Sequence, residues 1–161
     1  MIVGIDPGGY GAIAAPDIQV VYDMPSKSVF ITKNTKGKLQ LRDKLNDIIT
    51  EINNKLNISK LVVEAQRSFG KEGRNSMMTI GRNYDMFFSL AYYRGIEIDV
   101  IQPRDWKDYY KLTGKPKEAS VDLCEELWPD MNFRGPKGAK KDGRADAMLI
   151  GQYYKEVKCT K

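Results

Sequence analysis

Three short strand-like runs, at residues 2–5, 60–64 and 96–101, are separated by two stretches of helical period, and this alternation restricts the possible folds more than any other feature of the chain. In the first stretch Leu41, Leu45, Ile48, Ile49, Ile52 and Leu56 recur at intervals of mostly three and four residues; in the second, Met77, Ile80, Tyr84, Phe87, Phe88 and Ala91 do the same. Such spacing lines one face of a helix with apolar groups and predicts helices over 39–56 and 76–93. Strands joined through helices pair in parallel, because the crossover returns the chain to the same end of the sheet. Two further runs, at 12–15 and 18–22, follow the first strand closely and read as an antiparallel meander. The segment 27–38 reads as polar and irregular. Beyond residue 101 come a short helix over 106–112, a break at Thr113-Gly114-Lys115-Pro116, a helix over 117–127, a basic loop, and a last helix over 143–157. The expected fold is α/β, a mixed five-stranded sheet with its first three strands antiparallel and the rest parallel, and helices on both faces. At 161 residues it forms one domain spanning 1–161.

In sheets of this kind ligand chemistry gathers beyond the carboxyl ends of the parallel strands. Asp6 ends the run Ile2-Val3-Gly4-Ile5 and Glu64 ends Leu61-Val62-Val63, so parallel neighbours would set the two carboxylates side by side. Asp142 and Asp146 are four residues apart, one helical turn, and Leu149, Ile150 and Tyr153 turn that helix toward the sheet. The chain contains no histidine, which removes imidazole base chemistry and a histidine zinc site. Four carboxylates without histidine suit hard cations, Mg²⁺ or Mn²⁺. For the helix pair there is a simpler reading, in which Asp142 caps the helix and Asp146 favours its positive end.

Lysine and arginine number 26 against 21 acids, a net charge of +5 that suits a polyanionic partner. The charge is concentrated where Arg134, Lys137, Lys140, Lys141 and Arg144 alternate with glycines and lead into Asp142 and Asp146. Cys124 and Cys159 lack metal or disulfide spacing, no apolar run is long enough to cross a bilayer, and the N-terminus lacks a secretory pattern, so the expected compartment is the cytoplasm and no membrane is involved. The stretch Gly4-Ile5-Asp6-Pro7-Gly8-Gly9-Tyr10-Gly11 also matches the phosphate loop of actin-like ATPases, but those proteins need a second lobe and a second glycine-rich loop, for which the chain has no room.

The pieces GIDPGGYGAIA, LVVEAQRSF, QPRDWKDYYKLTGKPKEAS and KKDGRADAMLIG, in that order and spacing, resemble the RuvC family of Holliday junction resolvases in the RNase H-like superfamily, most of all its compact phage-borne members. The resemblance implies an RNase H-like sheet and a Mg²⁺-dependent endonuclease. On that resemblance it would act on four-way junctions, forks or flaps by two-metal phosphodiester hydrolysis, as a homodimer and without a small-molecule cofactor. Carried onto this chain, it makes Asp6, Glu64, Asp142 and Asp146 the metal ligands and catalytic acids, and Lys107 and Lys117 the cations at the scissile phosphate. DNA contacts would come from Lys107, Lys117, Lys137, Lys140, Lys141, Arg144 and Phe69, the last near a family aromatic that stacks on opened bases. The spacing of four between the last two acids departs from the family, which often uses three. A nuclease for RNA/DNA hybrid, or a junction-binding protein without catalysis, are the alternatives. Trp106, Tyr109 and Tyr110 read as core rather than as a stacking cluster.

Overall fold

The computed structural model describes residues 1–32, 35–66 and 74–159. Strand β1 (Ile2–Asp6) pairs antiparallel with β2 (Ala12–Ala15), which pairs antiparallel with β3 (Val20–Asp23) after a 3-10 turn at Pro16–Ile18. A separate two-stranded ribbon, β4 (Ser26–Thr32) and β5 (Thr35–Gln40), precedes helix α1 (Arg42–Lys55). Then come β6 (Lys60–Glu64), α2 (Arg74–Arg94), β7 (Glu97–Ile101), α3 (Pro103–Tyr109), α4 (Ala119–Leu127) and α5 (Asp142–Lys158). The main sheet runs β3-β2-β1-β6-β7, with β1, β6 and β7 parallel. This is the mixed sheet that the alternation of periods predicts.

The ribbon corrects the reading of 27–38 as irregular. Its strands pair in antiparallel register, Lys27 opposite Leu39 and Ser28 opposite Lys38. Ser-Val-Phe-Ile-Thr has the β-branched and aromatic content of a strand, whereas a search for a buried apolar face discounts a segment this rich in lysine and threonine. Helix α3 also begins earlier than expected, with Pro103 in its first turn, where a missing N–H costs nothing.

Alternation along the strands sorts two cores. Val3, Ile5, Ile13, Ala15, Leu61 and Val63 face α1 and α2, meeting Leu45, Ile49, Ile52 and Phe87. Ile2, Ala12, Ala14, Val62 and Ile101 face the other way, against Trp106, Val121, Cys124 and the apolar side of α5. Even-numbered positions of both β1 and β6 therefore belong to the α5 face, and Asp6 and Glu64 are even. Small residues let α5 lie close on that face. A Cβ built on Gly4 would sit 2.2 Å from the Ala147 carbonyl oxygen and 2.4 Å from the Gly151 nitrogen. At the start of the helix a Cβ on Gly143 would sit 2.4 Å from the Tyr10 carbonyl oxygen and 2.7 Å from the Gly11 Cα.

Candidate active site

Asp6, Glu64, Asp142 and Asp146 line one cleft of about 590 Å³, together with Trp106, Lys107, Lys117, Ser120 and the 112–116 turn. The assembly follows from the fold. Parallel pairing sets Ile5 beside Val63, which brings Asp6 and Glu64 level at the carboxyl edge, and the Gly143 contact draws the first turn of α5 against the β1–β2 turn. Asp142 is the first residue of α5; the cap position is Lys141, and no side-chain cap bond forms there, so the simpler reading of Asp142 as a helix cap does not describe this helix.

Each carboxylate has a local partner. Asp6 Oδ1 accepts the Gly8 backbone N–H at 2.9 Å, and Glu64 Oε1 accepts the Trp106 indole N–H at 3.0 Å. Asp146 is hydrogen-bonded to Ser120, whose hydroxyl also lies 3.1 Å from the Lys117 carbonyl oxygen. Having one proton, that hydroxyl donates to one of the two at a time. Asp142 Oδ2 is 3.9 Å from the Lys117 ammonium, a chiefly solvent-exposed side chain. In these rotamers no three acidic side chains among the described residues converge closely enough to enclose an ion.

The charges are nonetheless in conflict. Burial raises the Asp6 carboxyl to about 6 against the pull of the Gly8 N–H, and the neighbouring charges of Glu64 and Asp142 add to the rise. Burial raises Asp146 to about 7, with Asp6 and Glu64 adding to it. Glu64 is also raised, by burial first, against the Trp106 hydrogen bond. Lys107 opposes the rise at all three, and its ammonium sits 5.0 Å from the centre of the Trp106 ring. Lys107 faces three raised carboxyls while the exposed Lys117 pairs with Asp142, so the buried acids outnumber the cation set against them. All the donors are hard oxygens, so the chemistry of the set fits Mg²⁺ or Mn²⁺, with side-chain rotation needed to close the shell.

The basic loop is placed differently from the acids. Arg144 forms a two-point contact with Asp23, at 2.6 and 3.0 Å, and also donates to the Asn132 carbonyl. Lys140 pairs with Asp122, Lys141 lies 3.7 Å from Asp23, and Arg134 is bidentate to Glu125. Lys137 is exposed on the turn. None of these five lines the cleft; the pairs brace the loop that delivers α5. Phe69 lies outside the described residues. Trp106 is fully buried in the core and Tyr110 packs against it, as expected, while the Trp106 N–H reaches the site; Tyr109, expected in the core, is 48% exposed. The roles of Trp106 and Ser120 beside the acids were not legible in sequence, since an indole or a hydroxyl on a short helix carries no periodic signal.

No protein-family model matches the chain, and no curated protein matches it in sequence. Solved structures do. Thermus thermophilus RuvC in complex with a Holliday junction substrate superposes with a TM-score of 0.59 at 12% identity, covering 97% of this chain and 95% of that one. A second Thermus thermophilus RuvC structure gives 0.58 at 14% identity, covering 98% and 96%. The yeast mitochondrial Holliday junction resolvase gives 0.50 at 16% identity, covering 95% of this chain and 76% of that one. The chain has the RuvC, RNase H-like fold.

Proposed function

We propose that this protein is a divalent-metal-dependent endonuclease that resolves Holliday junctions and related branched DNA. The observation that supports the reading is that Asp6, Glu64, Asp142 and Asp146 line one cleft, which Lys107 and Lys117 also line, in a fold shared with a protein solved on a Holliday junction. Asp6, Glu64, Asp142 and Asp146 would hold up to two Mg²⁺ or Mn²⁺ ions, which would relieve the repulsion of Asp6 by Glu64 and Asp142. Bound there, such ions supply a nucleophilic water near neutral pH and offset charge on the phosphate.

The protein's own groups do the rest. Lys107, held at the acids by its place over the Trp106 ring, stabilises charge that develops on the phosphoryl oxygens. Lys117 is exposed at the mouth of the cleft and positions the scissile phosphate, releasing Asp142 as it does so. Lys137 adds a phosphate contact, and Lys140, Lys141 and Arg144 reach DNA by exchanging their present carboxylate partners. A symmetric four-way junction needs two matched cuts, which a homodimer with two sites delivers.

The test is one cleavage assay in Mg²⁺ at fixed salt with a four-way junction, a Y-fork, linear duplex and RNA/DNA hybrid. The reading predicts paired nicks in the junction, weaker cutting of the fork and none in the hybrid. Preferential cutting of the hybrid transfers the protein to another nuclease class, and tight junction binding without cutting makes it a recognition module. Lys107→Ala and Lys117→Ala should each slow single-turnover cleavage, by about 10²–10³ where the lysine acts as a charge-stabilising donor.

A further inference from the structure

Among the described residues Trp106 is the largest side chain with no exposed surface, and yet its one polar atom is aimed at the edge of the cleft. The indole N–H donates to Glu64 Oε1 at 3.0 Å, a normal length for a bond to a carboxylate. The ring is fixed in the core that packs α3 against α5 and the sheet, so the direction of the N–H is set by core packing and not by a rotamer search. Over the face of the same ring lies the Lys107 ammonium, 5.0 Å from its centre, the cation whose field acts on Asp6, Glu64 and Asp146. One rigid side chain thus touches both the glutamate and the lysine of the site. Core packing alone would be met by phenylalanine; the N–H adds a directed donor.

We propose that Trp106 is a positioning residue: its N–H fixes one oxygen of Glu64, leaving the other to ligate a divalent ion, and its face seats Lys107 above the acids. This rests on the metal-dependent nuclease reading and extends it to a residue that touches neither DNA nor ion. Outer donors of this kind typically change metal affinity or activity by about 10- to 100-fold when removed.

The experiment is a Mn²⁺ titration by calorimetry of DNA-free wild type, Trp106→Phe, Glu64→Gln and the double variant, with junction cleavage measured on the same preparations. Trp106→Phe should weaken Mn²⁺ binding about 10- to 100-fold and lower kcat, leave KM for the junction within about twofold, and add nothing in the Glu64→Gln background. In wild type, the Trp106 indole ¹H–¹⁵N resonance should shift on Glu64→Gln, a readout that survives if Trp106→Phe fails to fold. Wild type that binds Mn²⁺ and cuts junctions, with Trp106→Phe matching it in both, overturns the inference and leaves the nuclease reading standing. An unmoved indole resonance in Glu64→Gln also overturns it. Wild type with neither Mn²⁺ binding nor cleavage overturns both.

Discussion

Asp146 and Asp6 are partly reached by solvent yet crowded by protein and by other acids, and it is this crowding that lifts their carboxyl groups to about 7 and about 6. An acid whose folded value lies above its unfolded one binds more protons when folded. Its contribution to stability is therefore complete below the unfolded value near 3.8 and is lost as pH rises through 6 to 7. Asp146→Asn keeps an acceptor for Ser120 and removes the charge. Measured without divalent ions at pH 8, it should be more stable than wild type by on the order of 2 kcal/mol, roughly 4–8 °C in melting temperature, with the gap closing by pH 4. Added Mn²⁺ should raise the melting temperature of wild type at pH 8 and leave that of Asp146→Asn nearly unchanged. Thermal melts across pH check both statements; equal melting curves at pH 8 would remove the charge conflict. Cleavage by wild type should rise between pH 5 and 8 as these carboxyls ionise.

Helix α5 is the element on which the site depends, since it carries two of the four acids and lies on β1 through Gly4 and Gly151. Gly4→Ala puts a methyl group 2.2 Å from a helix carbonyl oxygen, against backbone that has no rotamer to yield. Unfolding in urea should show a loss of about 3 kcal/mol or more, and the displaced Asp142 and Asp146 should lose junction cleavage with it. Much of this element was readable beforehand. The spacing of Asp142 and Asp146 and the apolar side at Leu149, Ile150 and Tyr153 are periodic signals, and Asp6 and Glu64 each end an apolar run. Two features were not readable. The partners of Lys140, Lys141 and Arg144 are Asp122 and Asp23, 18 or more residues away in sequence, and a run of cations looks alike whether it faces a phosphate or a distant carboxylate. The segment that forms the β4–β5 ribbon is rich in lysine and threonine, and that polarity hid it.

At the scale of the molecule, the acids sit at one edge of the sheet, while α2 presents Met77 and Met78, 48% and 74% exposed, and an open Gly81 on its outer side. That face suits contact with a second copy, and paired cutting of a junction requires two sites in a fixed relation. Light scattering should give twice the 18.3 kDa of the chain, and Met78→Glu should reduce it to one copy while converting paired nicks into single ones. A wild-type monomer that still nicks in pairs would remove the dimer. The central claim is the assembly of Asp6, Glu64, Asp142 and Asp146 into a divalent-ion centre, and anomalous diffraction from a crystal soaked in Mn²⁺ tests it most directly. The account predicts density in the cleft with oxygens of these carboxylates within about 2.6 Å of the ion; Mn²⁺ bound only elsewhere on the protein, with the four side chains still apart, would contradict it.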